Sequence, residues 1–300
     1  MGKKVTFFMI VTPEDLCIAD YAVKSYSKIK NIDFELLIYS NYVPPMLKEK
    51  YFTKWEKYPY VKIIRNEQHD GKSVQIVQES EGFFEPHGVV LDKELKKIDS
   101  CYIATVDADF EILRPNFIYE IIKILDSDVS ILGISTDYNP NQRRHISFYN
   151  RWAYECECWN TWFVVYRKSN IDFNISMTRF RKENEMGELS IWDTCSYFQI
   201  SSIKNKQLKL KVIDKKYQNE FIHYGGFAKN IDLDENNIWI YRFLSIIRKN
   251  RIFGIPFSNK IFGSLLRKLL FGKADSNRRV FHFDRKRKGN SDITRNIKYD

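Results

Sequence analysis

Across its first 135 residues the chain switches repeatedly between two hydrophobic periods, and this alternation limits the folds open to it. VTFFMIVT (5–12), FELLIYS (34–40), YVKIIRN (60–66), CYIATVDADFEIL (101–113) and VSILGIS (129–135) are short β-branched and aromatic runs that read as buried strands. EDLCIADYAVKSYSKI (14–29), GVVLDKELKKI (88–98) and RPNFIYEIIKIL (114–125) place apolar residues at helical spacing, the last opened by Pro115. Strands and helices in alternation, with short connections, require right-handed crossovers and a mostly parallel sheet with helices on both faces. The expected class is therefore α/β.

Beyond residue 135 the pattern weakens. Residues 136–190 are polar and aromatic, with TWFVVYR (161–167) as a further strand, a helix over about 189–203, and FIHYGGF (221–227) as a strand or loop. With 300 residues and a hydrophobic fraction of 44%, the chain can bury a sizeable core, which excludes wholesale disorder. Five scattered cysteines predict a reducing compartment and no disulfide scaffold. Cys156 and Cys158 lack the further ligands of a zinc site and read as free thiols. No run approaches the roughly 18 apolar residues of a membrane span. The N-terminal MGKKVTFFMIV superficially matches a signal peptide and the myristoylation pattern M-G-x-x-x-[ST]. It meets Thr12, Pro13, Glu14 and Asp15 in place of a cleavage site, and reads as the first strand.

In parallel sheets ligands bind beyond the carboxyl ends of the strands, where strand order reverses. Thr12 to Asp15, Ser40-Asn41, Asn66 to Lys72 and Asp107 to Asp109 all fall at such ends, so four polar segments converge on one rim. Asp107 and Asp109, one residue apart after an apolar run, fit two descriptions. One is a solvated turn. The other is a divalent-metal site with the oxygen ligands that Mg²⁺ or Mn²⁺ takes, able to neutralise charge on a departing diphosphate.

The order and spacing of several segments decide between them. HGVVLDKELKKIDSCYIATVDADFEIL (87–113) resembles the stretch that begins with His-Gly and ends in the metal-binding D-x-D of GT-A-fold glycosyltransferases, family 2 and its bacterial polysaccharide and glycolipid relatives. SIWDTCSYFQI (190–200) is similar to their acidic acceptor-side motif, and IHYGGF (222–227) to a late His-Gly segment near the metal and diphosphate. The resemblance spans residues 5 to about 227. It implies a GT-A, Rossmann-like mixed sheet and a transfer from a nucleotide-sugar donor, UDP-sugar favoured, to a glycan or lipid-linked acceptor. Mn²⁺ or Mg²⁺ would be held by Asp109 and Asp107, with His223 as third ligand and Asp107 also reaching the ribose or a metal-bound water. Thr12, Glu14, Ser40 and Asn41 would border base and ribose, and Lys72 and His87 would meet the diphosphate. Asp193 would be the base of an inverting transfer, although Trp192 stands where the family usually has Glu. Trp159, Trp162 and Trp192 would form part of an acceptor platform.

Each role has a plainer competitor: helix capping for Thr12 and Asp193, a loop hydrogen bond for His223, a solvated surface for Lys72 and His87, and core packing for the tryptophans. Charge adds one more expectation. Residues 241–300 hold sixteen Lys and Arg against four Asp and no Glu, a net +12, whereas the whole chain carries +10; residues 1–240 are therefore at −2. Apolar residues recur at helical spacing in the same segment, which suits an anionic membrane surface through residues 240–290. The expected organisation is a catalytic domain over 1–235, with a nucleotide-sugar half to about 135 and an acceptor half over 136–235. A basic amphipathic helical extension follows over 236–300. This predicts a cytoplasmic enzyme of cell-surface polysaccharide or glycolipid synthesis, peripheral at the inner membrane face, with nucleic acid an unlikely partner. The competing classes are a non-catalytic membrane- or nucleic-acid-binding protein on a transferase-like fold, and an aspartyl-nucleophile phosphatase. The phosphatase is discounted because its D-x-D belongs to the first strand.

Overall fold

A computed structural model describes residues 3–13, 15–41, 43–65, 87–146, 151–184 and 188–224, together with 238, 239, 241–243 and 246. Glu14, Lys72, the glycine pair 225–226 and most of 240–290 lie outside the described residues.

The first half follows the expected alternation. Strand β1 (Lys3–Val11) leads into helix α1 (Leu16–Ser25), and β2 (Phe34–Ser40) into α2 (Pro45–Trp55). Then come β3 (Val61–Arg65), α3 (His87–Glu94) and β4 (Ser100–Asp107). Helix α2 has no counterpart in the sequence pattern. Pro44-Pro45 reads as a strand stop, but Pro45 has the fixed φ that opens a helix at its first turn, where no amide hydrogen is needed. The long fourth run also divides. β4 stops at Asp107, residues 108–109 turn, and a short β5 (Phe110–Ile112) sets out in another sheet before α4 (Asn116–Ser127) and β6 (Ile131–Ser135).

The second half is richer in strands than its periodicity suggests: β7 (Tyr138–Asn139), β8 (Gln142–Ile146), β9 (Arg151–Glu155), β10 (Cys158–Trp159), β11 (Phe163–Arg167), β12 (Phe180–Glu183) and β13 (Leu189–Trp192). Helix α5 (Ser196–Lys206), β14 (Lys209–Val212) and β15 (Phe221–His223) complete it. The helix expected from about residue 189 starts at Ser196, because 189–192 pair as a strand whose alternate residues Leu189 and Ile191 are buried.

The central sheet has the order β14-β6-β11-β4-β1-β2-β3. β1 pairs parallel with β2 and β4, β2 with β3, and β14 with β6, while β11 runs antiparallel between β4 and β6. This is the mixed, mostly parallel sheet flanked by helices expected from the sequence. The chain proceeds from β1 outward to β2 and β3, then returns to the other side of β1 with β4, so strand order reverses between β1 and β4. The register places Ile10 beside Asp107, Val11 beside Ser40, and Ser40 beside Arg65. The carboxyl ends of the parallel strands thus form one rim, with Asp107 at the switch point.

Helix α3 joins the two halves. Its Asp92 carboxylate accepts hydrogen bonds from the Ser176 hydroxyl, the Met177 amide and the Thr178 hydroxyl at 2.6, 2.7 and 3.2 Å. The Met177 carbonyl in turn accepts the Cys195 amide at 2.8 Å, just before α5. The approach is close because residue 88 is glycine: a Cβ there would lie 2.4 Å from the Thr178 Cα and 2.7 Å from the Met177 oxygen. Both are backbone atoms, so neither can swing away. Among the described residues no helix is long and apolar enough to cross a membrane.

Gly88→Ala is expected to lower the unfolding free energy by about 1–3 kcal/mol, the usual cost of overpacking. Urea denaturation measures it, and an unchanged midpoint would contradict the packing account.

Candidate metal centre

Three segments meet at the switch point. The first is the end of β4, which delivers Asp107. The second is β15, which pairs antiparallel with β5, placing Phe221 opposite Ile112, Ile222 opposite Glu111 and His223 opposite Phe110. The pairing continues with the Tyr224 amide donating to the Asp109 carbonyl at 3.1 Å. The third is the start of β11, where the Trp162 carbonyl accepts the Asp107 amide at 3.1 Å. Strand pairing thus fixes Asp109 and His223 as neighbours across the turn.

The floor of this region is aromatic. Phe110 stacks on Phe163 and Phe221 at ring distances of 4.5 and 5.2 Å, and Phe117 packs edge-on against Phe163 at 5.2 Å. All four phenylalanines are fully buried. Above them Trp162 lies parallel to the His223 imidazole, 4.5 Å away and tilted by 6°. The stack fixes the plane of the imidazole.

His223 Nε2 lies 3.3 Å from Asp107 Oδ2 and 3.2 Å from Asp109 Oδ1, and one donor atom from each residue falls within 4.8 Å of the others. Adjacent ligands on an octahedral ion with bonds of roughly 2.1 Å stand about 3 Å apart. The observed spacings therefore fit two edges of one coordination face. Two carboxylate oxygens and an imidazole nitrogen make a donor set suited to Mn²⁺, and with fewer nitrogen bonds to Mg²⁺. Asp109 is enclosed, with its side chain 9% exposed, while Asp107 is 39% exposed and opens toward solvent.

The electrostatics favour positive charge among these groups. Burial disfavours a charged imidazole, but Asp109 and then Asp107 outweigh it and push the His223 pKa up to about 10. Burial likewise acts to raise Asp107, yet the hydrogen bond and charge of His223, with a smaller effect from His87, hold it below the usual carboxylate range. His87, the exposed first residue of α3, thus lies within electrostatic reach of the cluster.

The other anticipated residues fall into two groups. Thr12, Ser40 and Asn41 are buried along the rim. The Thr12 hydroxyl donates to Asp15 Oδ2 at 2.7 Å, and the Asn41 amide to the Val11 carbonyl at 2.9 Å. The buried Ser40 hydroxyl finds no hydrogen-bond partner among the described residues. Asp193 makes its contacts elsewhere. Its carboxylate is 58% exposed, accepts the Thr194 amide at 2.9 Å, and lies 3.9 Å from Arg179 Nε. It does not cap α5: that position belongs to Cys195, in the left-handed region at φ 64° with no side-chain cap bond. Trp159 is held by Gln199 through both backbone groups at 2.9 and 2.8 Å, and its ring packs on Tyr138. Trp192 sits edge-on to Tyr197. Of the three tryptophans, only Trp162 touches the Asp-Asp-His cluster.

The supports of the site carry little local signal in the sequence. Glu111 alternates with Phe110 and Ile112 as a strand residue should, but its side chain is only 2% exposed. It accepts the Tyr224 hydroxyl at 2.6 Å and both arms of a fork from Arg242, Nε at 2.8 Å and Nη2 at 2.6 Å. Tyr241 donates to the Tyr224 carbonyl at 3.2 Å. At the other end of β15, Glu220 accepts the Phe117 amide at 2.8 Å and the Asn116 side chain at 2.9 Å, capping α4. Part of the C-terminal segment is therefore tied to the strand that carries His223. Ile238 and Tyr241 are buried, and Trp239 and Phe243 are exposed. Only a charged residue in a buried alternation would have hinted at Glu111; nothing local hints at Arg242.

No protein-family model and no curated protein sequence matches the chain. Solved structures similar in fold do. A mannosyltransferase from Pyrobaculum calidifontis, in complex with GDP-Man and Mn²⁺, shares 10% identity at a TM-score of 0.46, covering 92% of this chain and 71% of that one. Glucosyl-3-phosphoglycerate synthase from Mycobacterium tuberculosis, with Mn²⁺, UDP and glucosyl-3-phosphoglycerate, gives 9% and 0.43, covering 86% and 82%. TarS residues 1–349 from S. aureus gives 11% and 0.43, covering 89% and 82%.

Arg242→Ala is expected to cost about 2–3 kcal/mol, because it strands a buried carboxylate, with part of the loss restored in Arg242→Lys. Equilibrium unfolding in urea reads this. Wild-type stability in Arg242→Ala would mean the fork does not hold β15.

Proposed function

We propose that the chain is a metal-dependent glycosyltransferase of the GT-A class, moving a sugar from a nucleotide-sugar donor, UDP-sugar favoured, to a glycan or lipid-linked acceptor. The observation that carries this reading is the Asp107, Asp109 and His223 cluster at the point where strand order reverses, in the place where the family motif has its D-x-D. Its motif order supports it further: His-Gly opening α3, Asp-x-Asp closing β4, Asp193 before α5, and His223 closing β15.

In this reading Asp109, Asp107 and His223 would hold the ion, with Asp107 also reaching the ribose or a metal-bound water. When bound, the ion supplies positive charge to a diphosphate leaving group. Thr12, Glu14, Ser40 and Asn41 border base and ribose; the Ser40 hydroxyl, without a hydrogen-bond partner among the described residues, suits a ligand hydrogen bond. His87 and the amino end of α3 lie near Asp107, where helix amides favour phosphate, and Lys72 would add charge. Asp193 is free of a capping role, and takes the proton of the acceptor hydroxyl as that oxygen bonds to the anomeric carbon and the bond to the diphosphate breaks. Trp159, Trp162 and Trp192 offer ring faces to the acceptor. The nucleotide-sugar half covers about 1–135 and the acceptor half 136–235. Exposed Trp239 and Phe243, with the basic residues that follow, would seat the protein on an anionic membrane surface at the cytoplasmic face, suiting cell-surface polysaccharide or glycolipid synthesis.

UDP with Mn²⁺, at about 100 times its dissociation constant, should stabilise the protein by about 2.7 kcal/mol, a rise of several degrees in melting temperature. The rise should vanish in Asp109→Ala. If no nucleoside diphosphate raises the melting temperature with metal present, the proposal fails. Asp193→Asn should lower kcat by about 10²–10⁴-fold and leave the UDP–Mn²⁺ shift intact. Full turnover in that variant would remove Asp193 from the mechanism.

A further inference from the structure

The smaller four-stranded sheet, in the order β12-β13-β9-β8, sorts its chemistry by face. Lys182 pairs with Ser190, Ser190 with Tyr154, and Tyr154 with Arg143. These four residues make one row across the sheet, about 14 Å long at about 4.8 Å per strand. The alternate positions Ala153, Leu189 and Ile191 form a small buried cluster, so the row faces the opposite way, outward. Trp152 shares that outward face and is 57% exposed; Trp192, two residues after Ser190, lies on it too. The Arg143 guanidinium sits over the rings of Trp152 and Tyr154 at 5.9 and 5.7 Å.

The acidic residues of the same strands fall on the other face. Glu183 pairs with Leu189 and Glu155 with Ile191, at the buried-cluster positions, and Glu155 accepts a hydrogen bond from Gln142 there. The outward positions whose side chains are described are therefore aromatic, hydroxyl-bearing or basic, with no carboxylate among them. Aromatic faces stack on the C–H faces of sugar rings, and a guanidinium takes carboxylate or phosphate oxygens in pairs. β13 ends at Trp192, and Asp193 is the next residue along the chain.

We propose that this face binds an anionic glycan, one bearing carboxylate or phosphate groups, as the extended part of the acceptor. Trp152 and Tyr154 stack on its rings, and Arg143 and Lys182 hold its charges at either end of the row. The proposal rests on the transferase reading for its placement beside Asp193, and charge complementarity selects the acceptor class. A neutral glycan would leave both basic residues unused.

The test is binding of the full chain, followed by tryptophan fluorescence, to a galacturonate tetramer, its neutral methyl ester, a phosphorylated mannan oligosaccharide and an oligothymidylate. About 0.3 M salt screens the basic C-terminal segment. Expected is saturable binding of at least one anionic glycan, about tenfold or more tighter than the methyl ester. Trp152→Ala and Arg143→Ala should each weaken it about tenfold, with the melting temperature and the UDP–Mn²⁺ response unchanged. Equal affinity for the methyl ester, wild-type affinity in both variants, or no glycan binding would overturn the proposal. Tighter oligothymidylate binding lost in the same variants would overturn it in favour of a nucleic-acid surface. A UDP–Mn²⁺ response without glycan binding refutes this inference alone; glycan binding without any nucleoside diphosphate response refutes the transferase reading instead.

Discussion

The pairing of two three-residue strands, β5 with β15, is the interaction on which the candidate site depends. So short a ladder is marginal by itself, and its stability comes from its surroundings. Phe110 and Phe221 stack across it and bury themselves against Phe117 and Phe163. Glu220 fastens one end to α4, and the Glu111, Tyr224 and Arg242 network fastens the other. The ladder places His223 beside Asp109, so without it the cluster would reduce to two aspartates in a turn.

A second constraint links the halves of the molecule. Helix α3 starts beside the cluster with His87, and its Asp92 holds the 176–178 loop. The Met177 carbonyl of that loop then holds the Cys195 amide next to Asp193. Gly88 permits the contact because nothing larger fits against Thr178. The rim of the parallel strands and the segment bearing Asp193 are therefore positioned by one helix. The basic C-terminal segment contributes too, since Arg242 completes the charge balance of Glu111 under β15.

Much of the architecture was legible in the chain. Strands with long apolar runs, β1, β2, β4 and β6, and the strongly amphipathic α4 reveal themselves because their burial imposes a period. The convergence of Thr12, Ser40 and Asp107 on one rim follows from parallel topology alone. What escaped reading depends on partners distant in sequence. The break between β4 and β5 is set by pairing with residues 221–223, more than 100 residues later. Leu189 to Trp192 reads as the start of a helix until β9 and β12 are present to pair with it. Trp152, Tyr154 and Arg143 lack any local signal of a shared face, because that face exists only through cross-strand register. Glu111, which is buried, and Asp92, which is partly buried, look like ordinary surface acids in the sequence, and only their hydrogen-bond partners distinguish them.

The proposed chemistry requires that Asp107, Asp109 and His223 hold one ion. Crystals grown with Mn²⁺ and UDP, measured at the manganese absorption edge, address this directly. The expected result is an anomalous peak bonded at about 2.0–2.3 Å to an Asp109 oxygen and to His223 Nε2, with the diphosphate on its open side. A peak located elsewhere, or none while UDP is bound, would contradict it.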